Sequence, residues 1–183
     1  MAESARAAVG TADGLEVEAE VPLYAATLRY FAADGPFAAA VAAVTGTPLP
    51  APLTATVLPE AAGAGAGVVL AWLRPTETLA LCHAAAPLAG LTERLATAAG
   101  GHVVELSGGL EAMRVRGARL GELLSRLGGA AVGLRLNDAR RGRLADVPVL
   151  AVCVQAGEAL LVVDRAHAGH LLGWIQATLA DWT

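Results

Sequence analysis

Residues 102–129 read HVVELSGGLEAMRVRGARLGELLSRLGG, and the order of elements in this stretch decides the fold. His102–Leu106 and Glu111–Arg116 are short strand-like runs on either side of Ser107-Gly108-Gly109, a pattern that predicts a hairpin. Leu120, Leu123, Leu124 and Leu127 then fall on one helical stripe, and Gly128-Gly129 stops it. Outward toward the C-terminus, an arginine-rich loop leads to two apolar runs, Val147–Val154 and Ala159–Val163, read as a strand pair. A last helix carries Leu171, Leu172, Ile175 and Leu179, with Trp174 and Trp182 adding apolar bulk.

The same grammar precedes it. Leu15, Val17, Ala19 and Val21 alternate with glutamates, the period of a half-buried strand, and Pro22 ends it. Tyr24–Phe31 is a second strand. Phe37, Val41 and Val44 mark a helix closed by Gly46. Residues 47–67, with four prolines and an AGAGAG tract, read as a loop. Val68–Leu73 and Leu79–Cys82 flank the turn Arg74-Pro75-Thr76-Glu77, and Leu88, Leu91, Leu95 and Ala98 form another amphipathic helix, ended by Gly100-Gly101. Gly35 and Gly117 are 82 residues apart, as are Gly46 and Gly128; Glu77 and Glu158 are 81 apart, as are Leu79 and Leu160. This register predicts a duplication. Right-handed crossovers then make each copy most economically a ferredoxin-like β-α-β-β-α-β half, giving an α+β protein. His102–Leu106 supplies the last strand of the first half. The second half runs out of chain, so Leu15–Val21 is expected to cross over and complete it. Residues 1–14 are expected to be a flexible tail, and 15–183 one domain made of half-units at about 22–106 and 107–183.

Composition excludes several functions. The hydrophobic fraction of 55% against 16% charged residues argues against disorder. Mean hydropathy is +0.54, but 43 alanines explain most of it, and the longest apolar-and-glycine run, Ala61–Leu73, is 13 residues. A spanning helix needs about 18 or more, so no membrane segment is expected; the N-terminus carries Glu3, Arg6, Asp13 and Glu16 and has no apolar core, so no signal peptide is expected either. A net charge of −4 leaves no broad footprint for nucleic acid. All 13 basic residues are arginine; without lysine, Schiff-base chemistry and a Walker-type phosphate loop are ruled out. Cys82 and Cys153 suit free thiols in a reducing cytoplasm.

The candidate chemical groups mostly have structural readings. Cys82 and His83 point to opposite faces of a strand, so no thiol–imidazole dyad forms and Cys82 reads as a buried structural cysteine. Asp164, His167 and His170 have no fourth metal ligand near in sequence; helix capping by Asp164 is the favoured reading. The AGAGAG tract precedes a strand, unlike a dinucleotide fingerprint. Ser107 lacks the nucleophile-elbow context. Arg140, Arg141 and Arg143 stand beside Asp138 and Asp146, as a locally paired loop or as a basic surface for an acidic partner; the exposed ends of Trp174 and Trp182 would extend such an interface. No catalytic, cofactor-binding or metal-binding residue is assigned.

The stretch from 102 to 129, followed by RRGRLADVPVLAVCVQAGEALLVVDRAHAGHLLGWIQATL at 140–179, resembles the gamma subunit of heterotetrameric sarcosine oxidase. So does AWLRPTETLALC at 71–82, where Trp72, Leu73, Pro75, Glu77 and Leu79 match the family's W-L-G-P-D-E-W-L-L segment and Arg74, Thr76 and Thr78 depart from it. The resemblance runs from about Pro22 to the end. It implies a fold related to the folate-binding core of the glycine-cleavage T-protein, and a non-catalytic subunit assembled with alpha, beta and delta subunits. It implies further that FAD, FMN, NAD, tetrahydrofolate and zinc belong to those partners. The family's complex demethylates sarcosine to glycine and passes the one-carbon unit to tetrahydrofolate; the departures leave a related N-methyl amine oxidase complex open. The alternative is a stand-alone T-protein-like folate-binding or one-carbon protein, in which Glu77 or Glu105 would grip the pterin.

Overall fold

The computed structural model describes residues 7–20, 23–58, 67–129 and 131–182. Most of the AGAGAG tract, Val21, Pro22 and the first six residues lie outside them. Two compact units divide the chain: Met1–Val21 with Gly109–Thr183, and Pro22–Gly108. The protein is α+β, with two antiparallel sheets and four helices in the described residues.

The Pro22–Gly108 unit contains β3 (Tyr24–Tyr30), α1 (Pro36–Thr45), β4 (Ala55–Val57), β5 (Val69–Arg74), β6 (Glu77–Cys82), α2 (Ala85–Leu95) and β7 (Gly101–Glu105). β1 (Ala7–Ala12) and β2 (Leu15–Glu20) precede them and belong to the other unit. The sheet order is β4-β5-β6-β3-β7. Pro36 starts α1 where a missing N–H costs nothing, and Gly46, at φ 75°, ends it with its N–H on the Ala42 carbonyl. Phe37 and Val41 of α1 and Leu88, Leu91 and Leu95 of α2 pack over Ala26, Leu28, Leu70 and Ala80 of the sheet. Gly101 lets that packing close. A Cβ there would lie 2.6 Å from Phe37 Cδ2 and nearer still to the Arg29 carbonyl oxygen.

The other unit contains β1 (Ala7–Ala12), β2 (Leu15–Glu20), β8 (Leu110–Gly117), α3 (Leu120–Arg126), β9 (Ala139–Leu144), β10 (Val147–Gln155), β11 (Glu158–Asp164) and α4 (Arg165–Ala180), with sheet order β1-β2-β8-β11-β10-β9. β2 pairs antiparallel with β8, Val17 opposite Val115. The N-terminal strand thus adds to the C-terminal half, and Leu15 and Val17 are buried in its core with Val115, Leu123, Leu161, Leu171 and Ile175. β10 and β11 read as unbroken apolar runs because both their faces are buried: Leu150, Val152, Leu160 and Val162 as well as Val149, Ala151, Leu161 and Val163.

Four expectations change. Residues 7–12 are no tail: Asp13-Gly14, with φ 45° and 76°, turns Ala12 back onto Leu15 in a tight hairpin. The loop at 47–67 includes β4, which pairs with β5. The arginine-rich loop is mostly β9, joined to β10 by Ala145-Asp146, also at positive φ. Ser107-Gly108-Gly109 does not form a hairpin, because β7 pairs with β3 and β8 with β2 and β11, in different sheets. Backbone pairing follows the hydrophobic faces of each sheet and not chain adjacency. Among the described residues no helix is long and apolar enough to cross a membrane.

Candidate functional site

The three arginines named from the sequence lie on β9, an edge strand, where charged side chains also discourage unwanted strand pairing. Arg140 donates to Asp138 Oδ2 at 2.7 Å and to the Val132 carbonyl at 3.3 Å. Asp138 Oδ2 also accepts the Arg135 N–H at 3.0 Å, so this carboxylate fixes the entry to the strand. Arg143 donates to the Asp146 carbonyl oxygen across the turn. Arg141 between them is exposed.

The β9–β10 turn leads to α4. His170 Nε2 meets the Ala145 carbonyl at 3.0 Å, and one helical turn on, the Trp174 ring lies 6.5 Å from the imidazole, centroid to centroid. Trp174 is 53% exposed. These contacts join the turn, His170 and Trp174, whereas Arg141 and Arg143, opposite Leu150 and Pro148, stand on the sheet face away from the helices. Trp182 is elsewhere. Its ring lies beneath the Arg119 guanidinium, 3.9 Å from the centroid, with Arg126 at 5.3 Å, and it packs against the core. Glu122 accepts from Arg119 Nε at 2.8 Å and Nη2 at 3.0 Å, and Arg119 Nη1 reaches Asp13. These contacts hold the Glu122 carboxyl below the usual carboxylate range, chiefly through the Arg119 hydrogen bond. Trp182 thus fastens the end of the chain to α3 and the first hairpin turn.

The other singled-out groups take structural roles. Asp164 Oδ1 accepts the Ala166 N–H at 2.9 Å, capping α4. Among the described residues no three His, Cys, Asp or Glu side chains converge for a metal ion. Cys82 and Cys153 are buried free thiols, and burial pushes both thiols upward. Ser107 Oγ accepts the Ala25 N–H at 3.3 Å, tying down the end of β7.

Two clefts remain. The larger, about 840 Å³, opens where the turns at Asp13-Gly14, Gly117-Ala118 and Ala156-Gly157 meet. Its charges are consumed internally: Arg116 holds Glu16 at 2.8 Å and Glu18 at 3.1 Å, and Arg114 holds Glu158. The smaller, about 440 Å³, lies between α2 and the end of the five-stranded sheet, lined by Tyr24, Ala85, Leu88, Ala89, Thr92, Glu93 and Glu105. Glu105, one of the two acids named from the sequence, is thus at a cleft. Glu77, the other, is spent between Arg29 at 3.1 Å and Arg74 at 2.9 Å. The sequence reading missed Tyr24, Thr92 and Glu93. Residues 85, 88, 89, 92 and 93 do share a helical stripe, but nothing in the sequence pairs that stripe with Tyr24.

No family model matches the chain, and no curated protein matches it. Solved structures do. A chain of heterotetrameric sarcosine oxidase from Corynebacterium sp. U-96 superposes with TM-score 0.76 at 21% identity, over 96% of this chain and 88% of that one. Aminomethyltransferase T of the glycine cleavage system from Bartonella henselae gives TM-score 0.70 at 13% identity, over 90% of this chain, which spans 46% of that chain's length. The chain therefore has the T-protein-like fold of this sarcosine oxidase chain, the fold that the resemblance in its sequence implies.

Proposed function

We propose that the chain is a non-catalytic gamma-type subunit of a cytoplasmic heterotetrameric complex of the sarcosine oxidase kind. In this reading it assembles with alpha, beta and delta subunits that carry FAD, FMN, NAD, tetrahydrofolate and zinc, and the complex demethylates sarcosine and passes the one-carbon unit to tetrahydrofolate. The observation that carries the reading is the near-complete mutual coverage with the sarcosine oxidase chain, 96% and 88%. The T-protein match supports it from the other side, since this chain corresponds to less than half of that polypeptide. A fold that is one part of a longer chain in one protein can work as a separate subunit in another. Arg141, Arg143 and Trp174 are the proposed contact residues, because exposed tryptophan and arginine are the residue types enriched in interface hot spots. An internal duplication fits the same reading: the strand order β5-β6-β3-β7 recurs as β10-β11-β8-β2, with β4 and β9 added at corresponding edges.

The test is co-expression with the neighbouring genes. A flavin-coloured complex that retains this chain and forms peroxide with sarcosine is expected; recovery of the chain alone beside an active flavin complex would refute the subunit role.

One observation favours the second reading, a stand-alone T-protein-like folate-binding protein: Glu105 lines a cleft with Tyr24, as a grip on a flat heterocycle requires. Micromolar tetrahydrofolate binding to the isolated chain, lost in Glu105→Gln, would support it over the subunit role.

A further inference from the structure

We propose that the cleft between α2 and the ends of β3 and β7 binds a small organic cation, an alkylammonium or alkylguanidinium with a short apolar stem. The register of β7 is the starting point. Glu105 pairs with Ala26, and directly opposed residues share a face. Ala26 belongs to the core under the helices, and Val103, two residues before Glu105, packs against that core. Position 105 therefore lies on the helix-facing side of the sheet, at the exposed end of the edge strand β7, and its carboxylate stands at the rim of the cleft.

The surroundings specify the ligand. Ala85, Leu88 and Ala89 make an apolar floor, Tyr24 adds an aromatic wall, and Glu93 faces the same space one helical turn beyond Ala89. Thr92 also lines the cleft, and its hydroxyl proton is committed to the Leu88 carbonyl at 2.9 Å, which leaves its oxygen as an acceptor only. Apart from the Tyr24 hydroxyl, the lining side chains offer acceptors and no donors. Among the described residues neither Glu93 nor Glu105 takes part in an ion pair. Two unneutralised carboxylates over an apolar floor attract a cation that supplies N–H donors, and the aromatic wall favours the same charge. A carboxylate-bearing ligand is repelled, so free amino-acid zwitterions do not fit. The cleft volume of about 440 Å³ admits a cation with a four-carbon stem.

The full chain is titrated with n-butylguanidinium and followed by heteronuclear NMR. Saturable shifts confined to Tyr24, the 85–93 stripe and Glu105 are expected, with millimolar affinity. Glu105→Gln and Glu93→Gln each weaken binding by about fivefold to tenfold, the effect of removing one charge-assisted contact. Both glutamates are exposed, so these variants keep the native melting temperature. Butanesulfonate and glycine produce no saturable shifts at the same sites. Absence of saturation, equal binding of butanesulfonate, or unchanged affinity in the double Gln variant would each overturn the proposal. The measurement is made on the chain alone, so its failure leaves the subunit reading standing.

Discussion

Replacing Gly117 by alanine tests the junction on which the β2–β8 pairing depends. Gly117 ends β8 opposite Leu15 and has φ 138°, a region essentially closed to residues with a Cβ. Holding a side-chain-bearing residue there costs about 1–3 kcal/mol of backbone strain. The added methyl group would also sit 2.9 Å from Leu15 Cα and 3.0 Å from the Gly14 carbonyl carbon, with the Gly14 oxygen closer. Backbone on the facing turn must move, and the 2.9 Å bond from the Gly117 N–H to the Gly157 carbonyl goes with it. Losing this partly exposed bond adds up to about 1 kcal/mol. The expected destabilisation is about 3 kcal/mol or more, a large share of the ~5–15 kcal/mol that holds an ordinary domain together. Gly14→Ala is the control. It sits at φ 76° in open space, so only the left-handed conformation is penalised, at about 1 kcal/mol. Urea unfolding monitored by circular dichroism gives both midpoints. If Gly117→Ala shifts the midpoint no further than Gly14→Ala, the close approach of the two turns is not a real constraint, and the reasoning fails.

Deleting residues 1–21 removes Leu15 and Val17 from the core they share with Leu161 and Leu171, and cooperative unfolding of the 109–183 region should disappear; an unchanged melting temperature would count against the donated strand. Trp174→Ala should leave stability within about 0.5 kcal/mol, as for other exposed sites, yet reduce recovery of the chain in the co-expressed complex. Arg119→Gln should raise the NMR titration midpoint of Glu122 toward the ordinary carboxylate value, since Arg119 is the main cause of its depression. A depressed carboxylate stabilises the fold above its unfolded pKa, and that contribution is lost as pH falls through its folded pKa. Cys82 and Cys153 should react with a thiol reagent at pH 8 far more slowly in the native chain than in urea, because burial raises both thiols.

The elements legible in the sequence are those with large apolar side chains. β10 and β11 announce themselves as unbroken apolar runs and α4 because every third or fourth residue is Leu or Ile, and the crossover of residues 15–20 follows from the missing strand of the second half. The edge strands β1, β4 and β9 stay hidden. Each packs little apolar mass, and β9 carries three arginines in six residues. Asp13-Gly14 is a strong hairpin signal that should reveal β1, whereas Ala145-Asp146 adopts the same kind of turn without glycine and leaves no comparable mark. The misassigned hairpin at Ser107 has another cause: strand partners are chosen by three-dimensional burial, and β7 finds β3 about 75 residues away. The cleft illustrates the same limit. Glu105 is visible as an acid, but its meaning depends on Tyr24, far from it in sequence. The interface set is split, with Trp174 beside the β9–β10 turn and Trp182 under Arg119.

The strand donated by residues 15–20 has a consequence for synthesis. The ribosome releases it before the 22–108 segment, yet its partner β8 emerges some ninety residues later, after that whole segment has left the exit tunnel. Until then the β1–β2 ribbon has no sheet to join, and a lone two-stranded ribbon is marginal in water. The 22–108 segment can fold on the way out, while the unit that contains residues 15–20 must wait for residues 109–182. Rare-codon pauses after residue 108 would lengthen that wait, and a circular permutant opened at 108/109 would abolish it.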